Sequence, residues 1–251
     1  MNGTYLIFLG VTSKPFSSPL AREAVRAGLN QDTVSGLDDG NLLKGCYLLP
    51  PSLYGHPHDA CPDGNKAGDG NLPLAQSLAK ESGMAGSRVT VWSPADSPFA
   101  GWMAYYTSLL NQIGFKARLK TVPAASYYRT IGAARLHSQT GFDGTYQEFV
   151  NPAGFYEQLT AKAIQTRNGN WGKIDDPYIN STVRVLAAVP ASSVYAVATF
   201  WHKLELYVAK NAYIAVLGYP TFPEFVSDRI DLRAVTFSPV VGLDWSSLKL
   251  K

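Results

Sequence analysis

The stretch "RVTVWS" (88–93), "SPFAGWMAYYTSLLNQIG" (97–114) and "FKARLKTV" (115–122) constrains the fold more than any other part of the chain. An apolar run of strand length leads into a long helical pattern, and the chain then enters a second strand pattern in which apolar and basic residues alternate. Two strands joined through a helix form a crossover, so they are expected to lie parallel and right-handed in one sheet. Ser97 is expected to cap the helix with Pro98 at its first position, and Gly114 to end it. The alternation in the second strand predicts one wet face.

The rest of the chain continues this alternation. "TYLIFLGV" (4–11) is a continuous apolar run of strand length, followed by a turn at "KPF". "SPLAREAVRAGLN" (18–30) reads as a helix with Ser18 as cap and Pro19 first; Leu20, Ala24, Val25 and Ala27 form its inward stripe, and Arg22, Glu23 and Arg26 face out or pair. Residues 47–71, rich in Pro, Gly and Asp, are expected to be loop. "NLPLAQSLAKESG" (71–83) is a helix capped by Asn71 and stopped by Gly83. A helix is expected over 124–136, a strand over 142–149 running into a loop, and a helix from Pro152 to 162. Loop follows over 167–177, then helices over 178–188 and 191–209 split at Pro190, and a last apolar strand over 211–219. From 220 on, with Pro220, Pro223 and Pro239, the chain reads as irregular. No internal repeat or low-complexity tract interrupts this order. The class is α/β, with a mixed, partly parallel sheet flanked by helices.

Composition limits the function. Hydrophobic residues make up 46% and charged residues 16%, so the chain can bury enough apolar surface to fold. A net charge of +3, with no basic cluster denser than "KARLK" (116–120), is too small for a nucleic-acid footprint, and no nucleic-acid partner is expected. No apolar run reaches membrane-spanning length. "MNGTYLIFLG" lacks the basic segment and cleavage site of a signal peptide. The 14 tyrosines offer flat faces with hydroxyl tips, useful in wet clefts as well as in ordinary cores.

Cys46 and Cys61 sit near the ends of an irregular segment, "GCYLLPPSLYGHPHDAC". A disulfide is the expected pairing; it constrains the unfolded chain by about 3 kcal/mol in the loop-entropy model and implies an oxidising compartment. A metal site recruiting His56 and His58 is the alternative, but the spacing matches no common zinc pattern. Two unpaired buried thiols are the third possibility.

Chemistry beyond this is sparse. The chain has no G-x-S-x-G elbow, no G-x-G-x-x-G and no phosphate loop, and neither a metal nor a cofactor is expected. Asp175 and Asp176 before Pro177 suit a helix N-terminus better than a carboxylate pair. His202, mid-helix beside Trp201, reads as a packed or surface residue. Glu148, in "GFDGTYQEFVNPAGFYEQL" (141–159), has no His, Cys or second acid beside it for general acid–base work. An acid on a loop among aromatics can instead meet a ligand amine through a charge-assisted hydrogen bond; a solvated loop acid is the plain alternative.

"AREAVRAGLN", "AQSLAKESG", "LLNQIGFKARL", "NGNWGKIDDPYIN" and "NAYIAVLGY", in that order and spacing, give the chain a likeness to a known group. Over residues 4–245 it resembles the C-terminal half of the family 5 extracellular solute-binding proteins, the dipeptide- and oligopeptide-binding components of ABC importers. The resemblance implies a periplasmic-binding-protein-like (type II) lobe and a non-enzymatic role. Residues 4–210 would form the second ligand-binding lobe. Residues 211–251 would form a hinge return strand and a tail completing a first lobe that this chain lacks. The partners implied are a peptide or other small solute, the permease subunits, and the missing N-terminal lobe. The place implied is extracytoplasmic, as a lipoprotein in the full-length form.

The same resemblance assigns Glu148. Counting back from Pro152, it takes the Asp position of the "W-x-x-D-x-x-D-P" segment that meets the ligand's amino group, with Asn151 at the second Asp and Thr145 where Trp is usual. Tyr146, Phe149 and Asn151 would line the same cleft, and Arg129 and Arg135 could meet a ligand carboxylate. Two rival readings stand beside this one. The first is a hydrolase-like α/β enzyme using Glu148 or Asp143, and the second is a sensor domain of similar fold fused to a regulator.

Overall fold

The computed structural model describes residues 2–58, 60–62, 68–133, 137–164, 169–238 and 242–251. Its centre is a six-stranded mixed sheet of β1 (Gly3–Leu9), β2 (Leu42–Leu43), β3 (Arg88–Pro94), β4 (Lys116–Val122), β5 (Thr140–Tyr146) and β6 (Ile214–Pro220), in the order β2-β6-β1-β5-β3-β4. The expected crossover is present: β3 and β4 pair in parallel from Arg88↔Lys116 to Pro94↔Val122, and β3 also runs parallel to β5. β1 is antiparallel to both its neighbours, β5 and β6. β6 is buried along all seven residues, as its apolar sequence requires. β4 is the outer strand, and Lys116, Arg118 and Lys120 along it discourage pairing with another chain.

Helices cover the sheet. The first group is α1 (Pro19–Gly28), α2 (Gln31–Gly36), α3 (Leu72–Glu81), α4 (Phe99–Ile113) and α5 (Tyr127–Ile131). The second is α6 (Ala153–Glu157), α7 (Pro177–Ala187) and α8 (Ala198–Lys210). Side chains alternate across a strand. Tyr5 and Phe142 meet Trp102 of α4 at ring-centroid distances of 5.4 and 6.3 Å. Leu6, Phe8 and Asp143 instead border a small cavity with Leu159, Trp171 and Ile174. α1 and α3 approach closely through small residues: a methyl at Gly28 would lie 3.1 Å from the Ala75 side chain.

Local sequence rules hold at several ends. Asn71 accepts from the Leu74 N–H at 3.0 Å, and Gly114 closes α4 in the left-handed region. Asp176 caps α7, accepting from Tyr178 and Ile179 N–H, and the Tyr207 and Tyr213 hydroxyls donate to its other oxygen at 2.8 and 2.7 Å.

Elsewhere tertiary contacts decide. α4 begins at Phe99, so Ser97 is not its cap, and Ser18 makes no side-chain cap bond. Arg22, one of the residues expected to face out or pair, is buried; it donates to the Phe16 and Asn211 carbonyls, joining α1 to the C-terminal end of α8. The helix expected over 124–136 is a 3₁₀ turn (Ala124–Ser126) followed by α5, and its last residues lie outside the described ones. The helix from Pro152 stops at Glu157 and gives way to a 3₁₀ turn, Ala161–Ala163. In the tail, β7 (Phe237–Ser238) and β8 (Gly242–Leu243) form a two-residue pairing.

Cys46 and Cys61 are bonded to each other, with Cα atoms 5.8 Å apart, which removes the thiolates a zinc site would need. The segment they close is held from below by α8. Glu205 is fully buried, and its carboxyl accepts from the Leu48 and Leu49 N–H groups and the Tyr156 hydroxyl. No described helix is long and apolar enough to cross a membrane.

Candidate functional site

Strand direction gathers one rim of the sheet. β3, β4 and β5 run parallel and end at Pro94, Val122 and Tyr146. β1 is antiparallel to β5, so it starts there, with Gly3 opposite Tyr146; β6, antiparallel to β1, ends there. In open sheets of this kind ligands bind outside the carboxyl ends of the parallel strands, where the connecting loops leave a crevice.

Tyr146, Glu148 and Phe149 lie on this rim and are exposed. Glu148 makes no hydrogen bond or ion pair with any described residue. Phe149 lies over Gly154, where a methyl would come within 3.2 Å of its ring. Asn151 is a brace: its side-chain oxygen accepts from the Ala153 N–H at 2.9 Å, and its amide donates to the Leu186 carbonyl at 3.2 Å, tying the loop to α6 and α7. Arg129 is exposed on α5 and shares no hydrogen bond, ion pair or ring contact with these residues. Arg135 lies outside the described residues. A groove of about 880 Å³ between residues 157–163 and α7 contains none of the candidates.

Asp143, the second residue of the enzyme reading, is buried, whereas Glu148 is exposed. It is 5% exposed, accepts from the Gly144 N–H at 2.9 Å, and has the Tyr128 and Trp171 side chains in hydrogen-bonding reach. Burial pushes its carboxyl up to about 7, against these hydrogen bonds. This is a satisfied interior acid, and it forms no pair with Glu148.

Sequence reasoning missed the aromatic residues beside Tyr146. Tyr5, Phe99, Trp102 and Phe142 make a continuous set of ring contacts at 4.5–6.3 Å. Tyr146 joins Tyr5 at 5.9 Å, and Phe222 joins Tyr146 at 6.4 Å. These rings come from four separate segments of the chain. The available signal was the alternation in β1, which puts Tyr5 on the same face as Ile7, but nothing local says which strand lies beside it.

No protein-family model matches the sequence, and no curated protein matches it. Solved structures do. HbpA2 from Haemophilus parasuis superposes with a TM-score of 0.80 at 15% identity, over all of this chain and 48% of that one. The periplasmic binding protein DppA from Helicobacter pylori, in complex with the peptide STSA, gives 0.76 at 19% identity, over 87% of this chain and 42% of that one. A dipeptide-binding protein from Pseudoalteromonas, in complex with Met-Leu, gives 0.76 at 16%, over 99% and 48%. This chain spans less than half the length of each. At these identities the likeness establishes the fold: the chain has the periplasmic-binding-protein-like architecture.

Proposed function

We propose that this chain is the second lobe of a solute-binding protein serving an ABC importer, and that the whole protein closes on a peptide or similar small solute. Residues 4–210 form the lobe; residues 211–251 form the return across the hinge and a tail that completes the first lobe. The observation that carries this reading is the rim where Tyr146, Glu148 and Phe149 stand exposed at the ends of the parallel strands, on a fold shared with peptide-binding proteins. Glu148 meets the ligand's amino group, Tyr146 and Phe149 form the wall beside it, and Asn151 holds the loop that carries them. Arg129 is available to a ligand carboxylate.

The tail supports the missing-lobe reading. Phe225 is 93% exposed and Trp245 74%, with Phe237 also exposed. So much open aromatic surface fits a segment that another part of the protein covers. The disulfide fits an extracytoplasmic, oxidising location, with a lipid anchor and permease subunits as further expectations of this role. The test is to purify the full-length protein, unfold it, and identify what is released by mass spectrometry. A ladder of short peptides supports the role; a defined non-peptide compound keeps solute binding and removes the amine clamp. Nothing released, with turnover in a broad substrate screen, overturns it.

A further inference from the structure

Tyr5 and Tyr146 face each other because the β1–β5 register builds the pair. Gly3 lies opposite Tyr146, and Tyr5 lies opposite Gly144. Each ring folds over the glycine across from it. A methyl at Gly3 would come within 2.5 Å of the Tyr146 ring, and one at Gly144 within 3.1 Å of the Tyr5 ring. The two rings meet edge to face, and the Tyr146 hydroxyl donates to that of Tyr5. Phe99 and the fully buried Trp102 hold Tyr5 from α4. The pair is therefore positioned by a sheet register and a packed helix, and its outer side stays open: Tyr146 is 38% exposed and the neighbouring Phe222 64%.

The chemistry of the pair is neutral. A phenol has one proton to donate and lone pairs to accept with. Because Tyr146 donates to Tyr5, the Tyr5 proton remains available, and so do acceptor sites on both oxygens. Burial raises both hydroxyls above the usual tyrosine range; the bond that Tyr146 donates raises it further, and Tyr5, which accepts, keeps its increase despite that bond. Both therefore stay uncharged at neutral pH. A group that donates and accepts without charge, beside exposed ring faces, matches an amide next to an apolar side chain.

We propose that the Tyr5–Tyr146 hydroxyl pair is a ligand subsite for an uncharged amide group of a peptide-like solute, with the Tyr146 and Phe222 rings receiving the apolar side chain beside it. The proposal rests on the solute-binding reading above and adds a second recognition element to it, distinct from the charge on Glu148. It names Tyr5 as a residue that selects the ligand from the opposite strand.

The experiment is calorimetric titration of the full-length protein with a panel of Ala-Xaa-Ala tripeptides, with Xaa either Ala, Leu or Phe. Wild type is compared with Tyr5→Phe and Phe222→Ala, and thermal unfolding serves as the structural control. Tyr5→Phe, which keeps the ring, is expected to weaken every peptide that binds by about 3- to 10-fold with the melting temperature nearly unchanged. Phe222→Ala is expected to weaken the Phe and Leu peptides while leaving Ala-Ala-Ala as it was, a selectivity shift that a purely structural role does not produce. If wild type binds these peptides and both variants bind them equally well, the subsite is wrong and the solute-binding reading stands. If wild type binds none of them, the amide subsite and the peptide reading fail together.

Discussion

Two loops of this protein differ in what a glutamate does for them: Glu205 of α8 anchors one, and Glu148 projects from the other. The disulfide-closed segment 46–61 is pinned at many points. Its Leu48 and Leu49 N–H groups donate to Glu205, the Leu48 carbonyl accepts from Thr4 at 2.7 Å, and Tyr47 and Tyr219 exchange hydrogen bonds. The rim loop 147–152 is held at Gln147, whose N–H donates to the Asn2 carbonyl, and at Asn151, and its Glu148 stands in solvent with no described partner. Glu205 gives a structural role to an acid that looks ordinary in "WHKLELYVAK", and Glu148 is exposed and shares no bond with a described residue. An acid that is fully satisfied internally has nothing left to offer a ligand.

The contrast can be broken most sharply by deletion. Glu205→Ala strands two N–H groups and a buried hydroxyl, each costing about 1–3 kcal/mol. Urea unfolding of this variant is expected to show a loss of more than about 3 kcal/mol; an unchanged midpoint would mean that the dock is not formed.

Acidity tests the same group. Burial is the chief cause raising Glu205 to about 7, with its three hydrogen bonds pulling the other way. The native state therefore holds the proton more tightly than the unfolded chain does. That stability is fully present below the ordinary glutamate range near 4.5 and is lost as pH rises through about 7, by roughly 3 kcal/mol in all. Asp143 acts with the same sign. Unfolding measured from pH 4 to pH 8 should flatten in Glu205→Gln, and an unaltered pH slope would count against this assignment.

Opening the disulfide, by Cys46→Ser with Cys61→Ser, is expected to cost about 3 kcal/mol, read as a lower melting temperature. Less than 1 kcal/mol would show that Glu205 and the tyrosines hold the segment unaided. A smaller effect is expected at Asp176→Ala, about 1–2 kcal/mol from the lost cap, visible in the same unfolding assay. The smallest belongs to Glu148→Gln. Its stability should match wild type within about 0.5 kcal/mol, while the full-length protein loses affinity for a peptide with a free amino group. A destabilised Glu148 variant would place that residue with Glu205 after all.

Much of the architecture is legible in the sequence. The crossover of β3, α4 and β4, the Asn71 and Asp176 caps and the Gly114 stop depend on neighbours in sequence, and all are present. The disulfide was legible from its irregular, proline-rich setting. Arg22 was not, because its partners, the Phe16 and Asn211 carbonyls, include one almost two hundred residues away. The short α2 and the two-residue β2 were missed because neither has a periodic pattern long enough to show; β2 exists by pairing with Tyr219 and Pro220.

At the rim the division is the same. The resemblance to the solute-binding segment, counted back from Pro152, pointed to Glu148, Tyr146 and Phe149, and all three are exposed there. Asn151 proved to be a brace, since its side chain is taken up by α6 and α7.

Periodicity, caps and stops act over a few residues, so the sequence by itself determined the order of strands and helices and the α/β class. Which carboxylates are buried, which tyrosines meet, and which rim is left open depend on strands brought side by side from distant parts of the chain. Tyr5 and Tyr146 are 141 positions apart. Only the antiparallel register that sets each ring over the opposite glycine makes them one feature, because burial and hydrogen bonding are properties of neighbours in space.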